Sequence, residues 1–324
     1  MFQTLLITGA SGFLGSEIVR QALAEGLSVR ATGRRVCPAV TNVHFTCSDI
    51  TVPSSLAPVM DGIETVIHAA GLAHVFDAAQ DQADRFQLIN ETGTANVAHA
   101  AAQSGVNHFI LVSSVSVYGG SRDGGHEASG FFPNSPYAIS KYMAELRAIE
   151  IACSSGMAIT ILRLATLFGP GDPGNVGRLM RSIDKGRFIW VGDGSNRKSL
   201  LHVKDAARSC INVAQSPAAG INIYNVSAPP CTMRTIVDEL SSGLKKRPLS
   251  IRIPAAFALT SASVIGKLAG SRGRFSTLYT TLQKWLADDI YDAQKFEQAF
   301  GFQAQVSLAD GLREEVEWYR NTTQ

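Results

Sequence analysis

"TLLITGASGFLG", residues 4–15, runs an apolar stretch directly into three glycines, Gly9, Gly12 and Gly15, spaced by three. The apolar stretch predicts a buried strand, and the residues from Leu14 to Glu25 predict a helix. Glycine at the junction lets the chain turn tightly and lets backbone N–H groups approach a phosphate at the helix N-terminus, where the helix dipole favours negative charge. Three glycines could by themselves be a tight turn and a close helix-strand contact. Their position after the first strand and before the first helix is where a dinucleotide site is built. Gly9, Ser11, Gly12, Phe13, Leu14 and Gly15 are therefore candidate cofactor-binding residues.

Outward from this loop, short β-branched or aliphatic runs alternate with Ala-rich helical stretches. They are "SVRA" (28–31), "VHFT" (43–46), "TVIHAA" (65–70), the helix Asp81 to Ser104, "HFILVSS" (108–114), the helix Pro136 to Ser155 and "AITILRL" (158–164). Strand, helix, strand in repetition predicts an α/β fold with a doubly wound parallel sheet of Rossmann type. From about Leu167 the rhythm changes, with Gly and Pro crowding "FGPGDPGN" (168–175). A helix from Lys204 to Gln215 and the strand "INIYNVS" (221–227) are expected to return to the main sheet. The expected organisation is a dinucleotide-binding domain over 1–166, with a returning helix and strand near 204–227, and a smaller α/β substrate domain over most of 167–324. Helices near Thr232 to Leu240 and Leu308 to Tyr319 belong to the latter.

The 324 residues are 45% hydrophobic and 17% charged, the balance of a globular protein with a sizeable core. A formal charge of +2 is too small for a nucleic-acid-binding surface. Five cysteines, Cys37, Cys47, Cys153, Cys210 and Cys231, lack the close pairs of metal or redox motifs, so no metal site is expected and a reducing cytoplasm fits. The amino terminus lacks the basic leading segment of a signal peptide. "IPAAFALTSASVIGKLAG" (253–270) contains a proline, several hydroxyls and Lys267, and is expected to be a buried helix and not a membrane span.

At the end of the second strand, where an acidic residue would meet the ribose 2′-hydroxyl of NAD, stands "ATGRR" (31–35). Gly33 removes the carboxylate, and Arg34 and Arg35 suit a 2′-phosphate through bidentate hydrogen bonds, so NADP(H) is favoured and NAD(H) remains possible. Asp49 and Ile50, after the third strand, are candidates for the adenine end. Ala69, Ala70 and Gly71, after the fourth, form a small-residue wall for the cofactor.

"SPYAISK" (135–141) supplies a second constellation. Ser135 and Pro136 read as N-cap and first helical residue, which places Tyr137 in the first turn and Lys141 on the same face. A free phenol titrates near 10, and a neighbouring ammonium favours the phenolate. Proton exchange with an alcohol or ketone becomes possible. Ser113 and Ser114, ending "HFILVSS", offer hydroxyls to a substrate oxygen. The segment Gly119 to Asn134, with His126 and Glu127, reads as a flap over the site.

In these motifs the sequence resembles the extended short-chain dehydrogenase/reductases, the NAD-dependent epimerase/dehydratase group. The resemblance runs through "VIHAAG" (66–71), "INETGTANV" (89–97), "LVSSVSVYG" (111–119), "LRLATLFGPGD" (162–172), "LLHVKDAA" (200–207) and "SLADGLREEVEWY" (307–319). It implies Ser114 as the catalytic serine, Tyr137 as acid/base, and Lys141 as the ribose-binding partner that lowers the phenol. It implies a homodimer through the helices Asp81 to Ser104 and Pro136 to Ser155. The dehydratases place an Asp-Glu pair after the serine, where this chain has Val115 and Ser116. Two readings stay open. One is a reductase acting at C4 of a UDP-linked 4-keto sugar, which "AGLAHV" (70–75), "NRKSLLHV" (196–203) and "LQKWLADD" (282–289) resemble; the other is a UDP-sugar 4-epimerase. A hydroxysteroid- or flavonol-type reductase is a further alternative, disfavoured by the arginines, and a cofactor-sensing protein is disfavoured by the intact triad. Thr166 stands where epimerases often have Asn, and Lys198 where they often have Arg. Asn175, Arg197, Lys198, Arg272 and Arg274 are candidates for the substrate diphosphate and nucleotide.

Overall fold

A computed structural model describes residues 4–36, 43–73, 79–120, 125–249, 251–269 and 278–323. The first half runs β1 (Thr4–Thr8), α1 (Phe13–Ala24), β2 (Ser28–Gly33), β3 (His44–Cys47), α2 (Ala57–Met60), β4 (Thr65–His68), α3 (Ala79–Phe86), α4 (Gly93–Gln103), β5 (His108–Ser114), α5 (Pro136–Ser155) and β6 (Ala158–Leu164). The second half runs β7 (Thr166–Phe168), α6 (Asn175–Asp184), β8 (Trp190–Val191), β9 (Arg197–Lys198), β10 (Leu200–His202), α7 (Val203–Gln215), β11 (Ile221–Val226), β12 (Cys231–Thr232) and α8 (Met233–Leu244). It closes with β13 (Arg252–Ile253), α9 (Ala255–Ala269), α10 (Leu278–Leu286), α11 (Gln294–Phe300) and α12 (Leu308–Thr323).

Seven strands form one parallel sheet in the order β11-β6-β5-β4-β1-β2-β3. The chain starts in the middle at β1, works outward to β3, then crosses back to β4 and builds the other half. The strand order therefore reverses between β1 and β4, and ligands of such sheets bind at the carboxyl ends of the strands around that reversal. Alternation along β1 divides the core: Leu5 and Ile7 pack with Ile18 and Val19 of α1 and Ala207 and Ile211 of α7, whereas Leu6 packs with Val97 of α4 and Ala148 and Ile151 of α5. Helices thus cover both faces. The expected return of α7 and β11 is present, β11 pairing with β6 from Ile221↔Ile159 to Val226↔Leu164.

Beyond β6, α6, α8 and α12 share a separate apolar cluster with Phe168, Phe188 and Trp190. Three two-stranded pairings, β7 with β10, β8 with β13 and β9 with β12, hold this region together. Two expectations need correction. The helix expected from Asp81 to Ser104 is interrupted by a π-helical turn at Gln87–Thr92. The segment expected as a buried helix is α9, but among its residues of described burial Ala258 and Ala262 are buried while Phe257 is 66% and Val264 51% exposed. High apolar content fills one stripe and spills onto the outer face. Among the described residues no helix is long and apolar enough to cross a membrane. Nor does any group of three or more His, Cys, Asp or Glu among them suit a metal ion.

Candidate active site

The cofactor end of the site is built from backbone. Gly9 has φ +65, and a Cβ there would lie 2.6 Å from Ala70 Cα. A Cβ on Gly15 would lie 2.1 Å from the Gly9 carbonyl oxygen, so the loop between β1 and α1 closes to this distance only with glycine at both positions. No side chain caps the N-terminus of α1 at Gly12, which leaves first-turn N–H groups for an anion. The wall expected at Ala69, Ala70 and Gly71 lies against this loop: Ala70 N–H donates to Thr8 Oγ1 at 3.2 Å, and Thr8 Oγ1 shares a 2.8 Å bond with His68 Nδ1. Burial, helped by Lys141, holds His68 down at about 3, so the ring is neutral and serves as a structural link to Thr94.

At the outer end, Arg34 and Arg35 are exposed just after β2. A Cβ on Gly33 would approach Ser11 Oγ to 3.4 Å, which leaves a narrow space between the two glycine-bearing turns. The Asp49 carboxylate accepts Thr51 N–H at 2.9 Å and Thr51 Oγ1–H at 2.8 Å. Those bonds, with a contribution from Arg34, hold Asp49 below the usual carboxylate range. Ile50 packs its side chain against Gly93 at the start of α4, and its carbonyl accepts from Asn96 at 2.9 Å. The loop, the uncapped helix end and the wall fit the pyrophosphate and flanking parts of a dinucleotide.

The reaction end is built from side chains on β5 and α5. Ser135 Oγ accepts Ala138 N–H at 3.2 Å and Pro136 opens the helix, so the expected cap is the one found. Strand alternation separates the two candidate serines. Ser113 is buried and donates to Glu145 Oε1 at 2.5 Å, while Ser114 lies close enough to the Tyr137 phenol to favour its ionised form and accepts Ser116 N–H at 3.1 Å. Ser114 and Tyr137 can therefore share one substrate oxygen. Burial pushes the Tyr137 phenol up from its usual value, with the Ser114 hydroxyl opposing. The expectation that Lys141 lowers the phenol is not met in this arrangement. The buried Lys141 ammonium donates to the Val112 carbonyl at 2.6 Å, and burial brings its own pKa down to about 8 against the pull of Glu145.

Two supporting groups were not singled out from the sequence. Asn90, inside the π-helical turn, is buried and holds both backbone groups of Leu72, accepting the N–H at 2.7 Å and donating to the carbonyl at 2.9 Å. Its amide also donates to Ser140 Oγ at 2.9 Å, which ties the loop after β4 to the turn preceding Lys141. The signal was present in "INETGTANV", as a polar residue on an otherwise packed face. The second group is the buried ion pair Arg163–Glu145 at 2.6 Å, extended from Ser113 on one side to Tyr118 (2.9 Å) and Asn225 (2.7 Å) on the other. The described part of the expected flap joins this network, since Glu127 accepts Asn225 N–H at 2.7 Å and Phe131 stacks on Tyr118. His126 is engaged locally, its N–H donating to Ser129 Oγ at 3.0 Å.

The substrate candidates fare unevenly. Thr166 is half-buried at the start of β7, immediately after the strand bearing Arg163. Asn175 opens α6, but its side-chain oxygen accepts from Arg178 at 2.6 Å. Arg197 pairs with Asp288 at 3.0 Å, and the Lys198 ammonium donates to the carbonyls of Lys284 and Ala287, both at 2.9 Å. These two cations hold β9 to the end of α10, a use that spacing alone could not show. Arg272 and Arg274 lie outside the described residues. Val115 is buried and Ser116 half-buried where dehydratases carry acids, so no carboxylate follows Ser114.

This geometry agrees with similarity to known proteins. The family model described as the NAD-dependent epimerase/dehydratase family matches residues 5–227. The chain is 28% identical over 321 residues to the N-acetyl-alpha-D-glucosaminyl-diphospho-ditrans,octacis-undecaprenol 4-epimerase of Escherichia coli O157:H7, covering 96% of this chain and 94% of that one. It is 30% identical over 337 residues to a dTDP-glucose 4,6-dehydratase of Streptomyces griseus, covering 97% and 93%. Among solved structures, MoeE5 in complex with UDP-glucuronic acid and NAD superposes with a TM-score of 0.79 at 26% identity, covering 98% of this chain and 99% of that one. With the glycine loop at the strand reversal and the Ser114, Tyr137 and Lys141 set beside it, the chain belongs to the NAD-dependent epimerase/dehydratase family of enzymes.

Proposed function

We propose that the protein is a 4-epimerase that oxidises and re-reduces C4 of a nucleotide-diphosphate sugar. The observation carrying this reading is the placement of Ser114 at the carboxyl end of β5 and Tyr137 in the first turn of α5, beside the dinucleotide cradle. The nicotinamide supplies the hydride acceptor and donor. Tyr137 takes the proton of the C4 hydroxyl as the ketone forms and gives it back on the return, and Ser114 donates a hydrogen bond to the same oxygen. Lys141, one turn further along α5, is assigned to the ribose hydroxyls of the cofactor, the role the family resemblance implies. Support for inversion comes from the 4-epimerase relative; support against dehydration comes from Val115 and Ser116.

A second reading, a 4-ketoreductase using NADPH, is favoured by Gly33 followed by Arg34 and Arg35, whereas the solved relative holds NAD. Incubation with UDP-glucose, UDP-N-acetylglucosamine and the corresponding 4-keto sugars, with nicotinamide absorbance and product identification, tests both. Inversion without net change in nicotinamide supports the epimerase; stoichiometric NADPH oxidation supports the reductase. Neither result on any of these sugars would remove both. We assign sugar-nucleotide binding to the region beyond Leu167 other than α7 and β11. A homodimer through α5 is supported by the exposed Ile139 and Leu146, spaced seven apart on one face, and by exposed Leu88 on the neighbouring helical segment. Sedimentation of an Ile139→Asp variant as a monomer is the expected result.

A further inference from the structure

No Asp or Glu occurs between Glu239 and Asp288, although the chain has 27 of them; eight Lys and Arg stand in that stretch, against 29 in the whole chain. A nearly neutral protein thus concentrates positive charge in one segment. The described part of it places Lys245, Lys246 and Arg247 after α8, where they border a surface depression with Asp238, and Arg252 exposed on β13. The same edge exposes large apolar side chains. Ile251 is 57% exposed and precedes β13, while exposed Ile189 precedes β8, and these two strands pair in parallel through Arg252↔Trp190, so both isoleucines stand at one strand end. Exposed Leu249 lies just upstream, and α9 adds Phe257 and Val264, seven residues apart on its outer face.

We propose that this edge is a docking surface for an anionic phospholipid bilayer, with Ile251, Phe257 and Val264 entering the headgroup boundary and the basic residues meeting lipid phosphates. Exposed apolar side chains with basic residues near them in the chain have the chemistry of an interfacial anchor. A second copy of the chain fits the edge poorly, because a two-fold contact sets the same patch against itself and would bring these cations together. The apolar face expected for a dimer is the separate stripe on α5. The attachment is peripheral, and it does not depend on the reaction assigned above.

The test uses the full-length protein co-sedimented with vesicles of phosphatidylglycerol and phosphatidylethanolamine, and with phosphatidylcholine vesicles. The expected result is binding to the anionic vesicles that weakens with salt, and recovery in the supernatant with phosphatidylcholine. An Ile251→Ser, Phe257→Ser double variant, and separately a Lys245→Glu, Lys246→Glu variant, should each lower the anionic partition coefficient by about tenfold. No binding to anionic vesicles at low salt, equal binding to both vesicle types, or unchanged binding of folded variants would overturn the proposal. Sedimentation velocity of the apolar double variant adds a further check: conversion of an oligomer to a smaller species would show the patch to be a self-interface and overturn it as well.

Discussion

The two ends of the active site are made from different material. At the cofactor end the recognising groups are backbone, held by glycines so tightly opposed that a methyl on Gly15 would meet a carbonyl at 2.1 Å. At the reaction end they are side chains on a regular strand and helix, Ser114 and Tyr137. Shape and chemistry are therefore separable by mutation: a change at the first end should cost both folding and binding, and one at the second should cost turnover alone.

The largest effect expected is from Tyr137→Phe, which removes the proposed proton carrier while keeping the ring against Phe86. Turnover should fall by about 10²–10⁴ with the melting temperature and dinucleotide affinity near those of the parent. A comparable loss of stability would break the contrast. Beneath the reaction end, Arg163→Met leaves Glu145 buried without its guanidinium partner and should destabilise by about 3–5 kcal/mol in denaturant titration. The paired change Arg163→Met, Glu145→Leu should recover part of this, although Ser113 then loses its acceptor. At the cofactor end, Gly15→Ala should lower stability by about 1–3 kcal/mol and weaken dinucleotide binding together, measured by thermal melts with and without the cofactor.

A smaller effect concerns pH. Burial brings Lys141 to about 8, so its positive charge is present below that pH and is lost above it. The alkaline limb of kcat/KM should therefore fall with an apparent pKa near 8. The smallest expected effect lies away from both ends, at Glu315 of α12. Burial, reinforced by Asp172 and opposed by the Gly169 N–H, raises this carboxyl to about 8. The folded protein then holds a proton that the unfolded chain releases between the ordinary carboxyl range and pH 8, so stability falls as pH rises through that window. Glu315→Gln should flatten this dependence and be the more stable protein at pH 9, by about 1 kcal/mol.

How far the sequence could be read follows the same division. The boundaries of β5, α5 and β6 agree with the expected ones because local signals fix them: Ser135 and Pro136 start α5, and Gly156, at φ +76, stops it. The glycine loop was legible for the same reason, since all its parts are within a dozen residues. The partnership of Arg163 with Glu145 was not, because it crosses from strand to helix and nothing local marks either residue. Sequence makes Lys198 a candidate for the substrate diphosphate, yet two carbonyls 86 and 89 residues away take its ammonium. In α9, composition indicated a helix but could not tell which face would find a partner. Resemblance separated Ser114 from Ser113, and the structure supplies the physical reason, their opposite orientation on β5.

The most direct test of the central claim is to follow a UDP-sugar deuterated at C4 through the purified protein by NMR. The account predicts a C4-inverted product that keeps the deuterium at C4, because the same hydride leaves and returns while Tyr137 handles only the oxygen-bound proton. Inversion with the deuterium washed into solvent would contradict it, since C4 would then have exchanged a proton with a base.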